Sequence, residues 1–109
     1  MLSFIDIYTL WRRVRFPAAT RNRELVSTYS DLAEVDEHVT TVIKFVEKGE
    51  FNLAPVDVLA NLDEIIGRIE AVSAGVTGDE RTTADHQHAY AALMHLLYSE
   101  FLKQNPSVA

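Results

Sequence analysis

Apolar residues recur along this chain at steps of three and four, the spacing that places side chains on one face of an α-helix. Four stretches follow this pattern, and they predict helices over residues 2–16, 22–48, 55–74 and 83–104. No stretch alternates convincingly with a period of two, so no β-strand is predicted. The connections, of about five to eight residues, suit antiparallel neighbours. The chain is therefore predicted to be an all-α, four-helix antiparallel bundle, with the helix 2–16 in its own bundle, swapped between subunits or packed on a partner.

Proline and glycine set the limits of these predicted helices. Pro17 ends the first, because it lacks an N–H and disfavours α geometry in the residue before it. Gly75 is placed to end the third, as glycine commonly does at helix C-termini. Residues 76–82 contain a glycine and three charged residues and are predicted to form a loop, after which Thr82 or Thr83 caps the last helix.

Composition and charge describe one domain with two unlike parts. The chain has 109 residues, 48% of them apolar, and no cysteine, which fits a single domain without disulfides or cysteine-bound metals. Residues 1–19 form a basic amphipathic helix and residues 20–109 an acidic helical body. The first 25 residues carry a net charge of +3 and the remainder −9. Because an acidic body repels nucleic acid, no nucleic-acid partner is expected.

The N-terminal segment, residues 1–19, is the first candidate for a functional surface. Charges interrupt its apolar stretch well short of the length that spans a bilayer, and its arginines follow the apolar residues, the reverse of a secretory signal. We therefore expect it to belong to the fold of a cytoplasmic protein. One face of its helix carries Phe4, Ile7, Leu10, Trp11 and Val14, and the opposite face carries Asp6, Thr9 and Arg13.

Two uses of the N-terminal segment follow from this pattern. In the first, its apolar face packs on the bundle or on a second subunit, while its arginines approach acidic residues such as Asp63 and Glu70. In the second, its aromatic residues lie in a membrane interface, and Arg12, Arg13 and Arg15 contact anionic headgroups. Packing on protein is the preferred hypothesis.

Small residues on the outer sides of the last two predicted helices form a second candidate surface. On helix 55–74 they are Ala60, Gly67, Ala71 and Ala74, and on helix 83–104 the corresponding side carries His88, Ala91, Ala92, His95 and Ser99. Small side chains let another backbone approach closely, so both helices are predicted to contact neighbours on two sides. The alternative is that alanine, a good helix former, simply occupies a solvated face.

Phe45 is an apolar residue on the polar side of helix 22–48, close to Glu34 and His38. An exposed aromatic ring in such a place needs a cover, which either the loop 50–53 or a partner chain supplies.

Histidine is the residue type best able to form a metal or acid–base site here. His86 and Asp36 are predicted to lie at the edges of apolar faces, where they could pair, either to fix helix register or as an acid–base dyad. No Glu-x-x-His pair of a di-metal bundle is present, so no metal or other cofactor is expected. The chain also lacks a G-x-S-x-G elbow and a glycine-rich phosphate loop.

The sequence thus predicts a non-enzymatic helical interaction module that self-associates or binds a protein partner. The first alternative is a peripheral membrane protein anchored by the N-terminal segment, and the second is a metal-dependent or acid–base enzyme that uses the histidines of the last helix. The residues predicted to contact a partner are Phe4, Ile7, Trp11, Arg12, Arg13, Arg15, Phe45, Gly67, Ala71, His88, Ala92 and His95.

Overall fold

The computed structural model describes residues 22–49 and 57–105, together with Asp6 and Thr9. This part of the chain contains three α-helices and no strand: α1, Arg23–Glu47; α2, Val58–Ser73; and α3, Gly78–Gln104. The predicted all-α class is confirmed, and the described part contains three helices where the prediction for the whole chain was four. The predicted helix 2–16 lies outside the described residues except for Asp6 and Thr9, which are both helical and exposed.

Polar side chains cap the starts of α1 and α2. Asn22 Oδ1 accepts a hydrogen bond from the N–H of Leu25 at 3.2 Å, and Asp57 Oδ1 accepts one from the N–H of Ala60 at 3.0 Å. Such caps satisfy N–H groups that have no partner inside the helix. Both helices begin and end close to the positions that the apolar pattern predicts.

The predicted loop over residues 76–82 is wrong for most of its length, because α3 already begins at Gly78. Gly78 has a φ of +63°, a left-handed conformation that glycine adopts without strain at the entry to the helix. The acidic residues that follow, Asp79 and Glu80, stabilise a helix N-terminus through the helix dipole. Thr82, predicted as a cap, lies inside the helix, and its hydroxyl donates to the carbonyl of Gly78.

The central helix, α2, runs antiparallel to both of its neighbours. Between α2 and α1, Arg68 contacts Ser27 and Asp31, whereas Asn61 borders the same depression as Glu34 and His38. Between α2 and α3, Asp63 contacts His95 and Glu70 contacts His88. Consequently α1 and α3 are parallel, and the described helices run up, down and up.

The core lies where the three helices meet. Its buried apolar residues are Leu25, Leu32, Val39, Val42, Ile43, Val58, Leu62, Ile65, Ile69, Ala84, Tyr90, Ala91, Met94, Leu97, Tyr98 and Phe101. On each helix they follow the steps of three and four seen in the sequence, so that burial of one apolar stripe per helix drives the packing.

Gln87 forms a fully buried polar link between α1 and α3. Its Nε2 donates to the carbonyl of Leu25 at 2.9 Å, and its Oε1 accepts a hydrogen bond from the hydroxyl of Thr28 at 2.5 Å. The Thr28 hydroxyl also lies 3.1 Å from the carbonyl of Leu25. Because buried polar groups are costly without partners, this network favours one register of the two helices.

His86, predicted to lie at the edge of the apolar face of the last helix, is exposed. Gln87 is in line with the buried residues Ala84, Ala91 and Met94, at steps of three and four, so the buried side of α3 is turned away from His86. Asp36 is buried, and it accepts a hydrogen bond across the bundle from the hydroxyl of Tyr90, whereas the sequence suggested His86 as a partner. The Thr40 hydroxyl lies 3.4 Å from the other carboxylate oxygen, Oδ1.

Replacing Arg68 should weaken the link between α1 and α2. Arg68 donates to Asp31 at 2.6 Å and to Ser27 at 2.9 Å, and the hydrogen bond with Asp31 raises the pKa of Arg68. We expect Arg68→Met, which keeps the aliphatic stem, to lower the free energy of unfolding by about 1 kcal/mol in a urea titration.

Arg81→Met is the matched control, because Arg81 pairs with Asp85 on its own helix and both side chains are more than half exposed. Its expected effect is about 0.3 kcal/mol. Equal effects of the two substitutions would show that the contact of Arg68 with α1 stabilises the protein no more than an ion pair within a single helix does.

Candidate interaction face

The outer surface shared by α2 and α3 is built from small residues, carboxylates and imidazoles. We call it the α2–α3 face; it consists of Ala60, Asp63, Gly67, Glu70 and Ala74 of α2 and His88, Ala92 and His95 of α3. On each helix these residues are three or four positions apart and therefore lie in a line on one side. The face thus joins two residue stripes that are distant in the sequence.

Two histidine–carboxylate contacts hold the stripes side by side. His95 Nε2 lies 3.1 Å from Asp63 Oδ1, and His88 Nε2 lies 3.6 Å from Glu70 Oε1. The two carboxylates are seven residues apart on α2, and the two histidines are seven residues apart on α3. On antiparallel helices equal spacings bring both pairs into contact at the same time.

Between these two contacts the surface has no large side chains. Gly67 and Ala92 are exposed, and a Cβ atom added at Gly67 would meet no atom within 4 Å. The prediction that the small residues of α2 lie away from the core is confirmed, because Ala60, Ala71 and Ala74 are exposed as well. A backbone from a second molecule can therefore approach α2 closely at Gly67.

The small-residue stripe of α3 is only partly free to contact a second molecule. Ala91, which belongs to this stripe, is fully buried. His88 and His95 of the same stripe contact carboxylates of α2. Ala92 remains exposed. The second neighbour predicted for α3 on this side is therefore, in large part, α2 itself.

A depression of about 340 Å³ lies at the end of the α2–α3 face where α2 leads into α3. Its lining includes Ser73, Arg81, Asp85 and His88. Asp85 Oδ1 lies 3.3 Å from Arg81 Nε and accepts a hydrogen bond from the Ser73 hydroxyl at 3.5 Å. The Ser73 hydroxyl is thus oriented toward a carboxylate that is paired with arginine.

Metal binding and membrane spanning can be examined only for the part of the chain that the structure describes. In residues 22–49 and 57–105, with Asp6 and Thr9, no three His, Asp or Glu side chains are grouped so that they could hold a metal ion. None of the helices in these ranges is long and apolar enough to cross a bilayer.

The structure brings together four of the residues predicted to contact a partner: Gly67, His88, Ala92 and His95. Ala71 is exposed next to this group, whereas Phe45 is half-buried on α1. The remaining predicted contact residues, Phe4, Ile7, Trp11, Arg12, Arg13 and Arg15, lie outside the described residues, as does the loop 50–53 that was expected to cover Phe45.

The sequence reasoning missed the pairing of Asp63 and Glu70 with histidines of α3, and assigned these carboxylates to the N-terminal arginines instead. The signal was present, because the interval from Asp63 to Glu70 equals that from His88 to His95. Matching intervals of this kind can be used to align two helices once they are known to be antiparallel neighbours.

No protein-family model, curated protein or solved structure matches this chain. The contacts and exposures of its own side chains are therefore the basis for a functional proposal.

Proposed function

We propose that this chain is a non-enzymatic interaction module, which associates with a second copy of itself or with a protein partner through the α2–α3 face. The observation that carries the proposal is the exposed, low surface at Gly67 and Ala92, which lies between two contacts that hold α2 and α3 in place. A surface with small side chains suits close packing of another helix, since little side-chain freedom is lost on binding.

The chemistry of the α2–α3 face favours a second copy of the chain as the first partner to test. The face carries acidic groups, Asp63 and Glu70, next to imidazoles, His88 and His95. In a two-fold symmetric dimer the same patch meets itself, and a patch that holds both kinds of group can place unlike groups opposite each other.

We also propose that the predicted helix 2–16 is a fourth helix, which completes an antiparallel bundle with α1, α2 and α3. Two observations support this. Asp6 and Thr9, from the predicted polar face, are helical and exposed. In addition, α1 and α3 are parallel neighbours, and a helix antiparallel to both can pack on the side of this pair that is opposite α2.

The mass of the chain in solution tests the proposal for the α2–α3 face. We expect sedimentation to give a mass above that of the 12.3 kDa monomer at micromolar concentrations. Gly67→Arg should raise the dissociation constant at least about ten-fold, because a long charged side chain prevents close approach of a second backbone. Ser30→Arg, which adds the same side chain at an exposed position of α1, should leave association unchanged.

Gly67→Ala separates the shape of the face from the stability of α2. The added methyl group meets open space, so this variant should be about 0.5–1 kcal/mol more stable than the natural chain and should still associate. A monomer at every concentration, or equal association of Gly67→Arg and Ser30→Arg, would contradict self-association through this face.

A further inference from the structure

α1 presents one more side beyond those that contact α2 and α3. The side of α1 in contact with α3 carries Thr28 and Asp36. At 100° per residue, the next side in the direction away from α2 carries Val26, Tyr29 and Ala33. These residues therefore border the space beside α1 and α3 that is opposite α2.

α3 presents a corresponding side. Its contact with α1 is made by Gln87 and Tyr90. The next side, away from the histidines that reach α2, carries Ala89, Leu93 and Leu96, with His86 and Glu100 in line with Leu93. We call the surface between the two helices the α1–α3 groove; its apolar lining consists of Val26, Tyr29, Ala33, Ala89, Leu93 and Leu96.

The α1–α3 groove holds the most exposed large apolar side chains of residues 22–49 and 57–105. Val26 is 51% exposed and Leu96 is 40% exposed. Tyr29 and Leu93 are half-buried between them, and Ala33 is exposed. Grouped apolar exposure of this kind marks a surface that binds another element.

The N-terminal segment is attached at one end of this groove. α1 starts immediately after its cap, Asn22, and the short connection 17–21 follows the predicted helix 2–16. A helix of that length extends about 22 Å, so an antiparallel course along α1 reaches the middle of α1. A connection this short also favours a neighbouring, antiparallel helix.

Charge complementarity supports the same placement. Gln87 bonds to Leu25, so the first turns of α3 project about 9 Å beyond Asn22 at 1.5 Å per residue. This projecting end carries Asp79 and Glu80, both exposed. The three arginines of the N-terminal segment occur in its last part, which is the part nearest this end of α3 in an antiparallel course.

We propose that residues 2–16 fill the α1–α3 groove of their own chain as an antiparallel helix, with Ile7 and Trp11 against the groove and Arg12 and Arg15 beside Asp79 and Glu80. The proposal rests on the fourth helix put forward above, and it assigns that helix a position and an electrostatic contact. The polar face that holds Asp6 and Thr9 then points to solvent, as both residues do.

Contact quenching by tryptophan tests this placement. The chain has one tryptophan, Trp11, and no cysteine, so a bimane label on Ala33→Cys or Ala89→Cys reports only on Trp11. At both positions we expect the fluorescence intensity of bimane to be at least about two-fold lower than in the same labelled proteins with Trp11→Phe. A reduction of this size corresponds to a population in which the N-terminal segment is mostly docked. The same label on Ala71→Cys, exposed on α2, should be insensitive to Trp11.

Two results would overturn the proposal. One is emission that is the same with and without Trp11 at both groove positions. The other is quenching that falls on dilution, or that arises when labelled Trp11→Phe chains are mixed with unlabelled chains, because it would assign the segment to a second copy.

Charge reversal tests the electrostatic contact. Asp79→Lys with Glu80→Lys should lower the ratio of docked to undocked chains about three-fold, and Arg12→Glu with Arg15→Glu should restore it. Restoration is the decisive readout, because lysine near the start of α3 also weakens that helix through its dipole. Glu64→Lys, exposed on α2, should leave quenching unchanged. Absence of restoration would overturn the contact with Asp79 and Glu80.

The outcomes of the two proposals can be told apart. Quenching reports the position of the N-terminal segment within one chain, and the mass of Gly67→Arg reports association through a different face of the molecule. A chain that fails either test can still pass the other.

Discussion

Gln87→Ala should lower the free energy of unfolding by about 2–4 kcal/mol. The substitution empties a fully buried site and leaves the Thr28 hydroxyl and the Leu25 carbonyl without their partner on α3. A urea titration followed by circular dichroism measures the change. Gln104→Ala, the same replacement at an exposed position near the end of α3, should change it by less than about 0.5 kcal/mol.

A double-mutant cycle identifies the hydrogen bond as the cause. Thr28→Val and Gln87→Met should each cost about 1–3 kcal/mol, because Thr28→Val leaves the buried Oε1 of Gln87 without its donor and Gln87→Met removes both hydrogen bonds that this side chain makes to α1. The double variant should cost clearly less than the sum, since both groups are then removed. Additive effects would mean that lost volume, and not the polar link between α1 and α3, accounts for the loss.

Tyr90→Phe should lower the free energy of unfolding by about 1–3 kcal/mol. Tyr90 donates its hydroxyl to the carboxyl group of Asp36, which is only 2% exposed, and phenylalanine removes this donor without changing the shape of the ring. Chemical denaturation at neutral pH is again the measurement.

Tyr98→Phe provides the control for this second prediction. Tyr98 is also buried on α3, and its ring packs 5.8 Å from that of Phe101. We expect Tyr98→Phe to lower the free energy of unfolding by less than about 1 kcal/mol, because the hydrogen bond between Tyr90 and the buried Asp36 carboxyl group remains in this variant. A loss in Tyr98→Phe as large as that in Tyr90→Phe would show that the contact with Asp36 is not what makes Tyr90 important.

Most of the helical fold could be predicted from the sequence. The steps of three and four in apolar residues placed α1 and α2 correctly because helix periodicity is a local property. The start of α3 was misplaced, since Gly78 and the charged residues after it resemble a loop. In the structure the glycine provides a left-handed entry, and Asp79 and Glu80 belong to the first helical turn.

Part of the candidate face was also predictable. Spacing alone placed Gly67 opposite the apolar side of α2, and His88, Ala92 and His95 on one side of α3. That the two stripes adjoin could not be predicted without the relative direction and rotation of α2 and α3. Those depend on how the apolar side chains of both helices interlock in the core.

The sequence by itself determined that this chain forms α-helices, which residues of each helix are apolar, and where small and charged residues lie on the outside. Only the tertiary structure decided which polar residues at the stripe edges are buried. Gln87 is covered by its neighbours and His86 is not, although the two are adjacent. The physical reason is that the buried side of α3 is set by how α1 and α2 pack on it, and that is settled by contacts among residues distant in the chain.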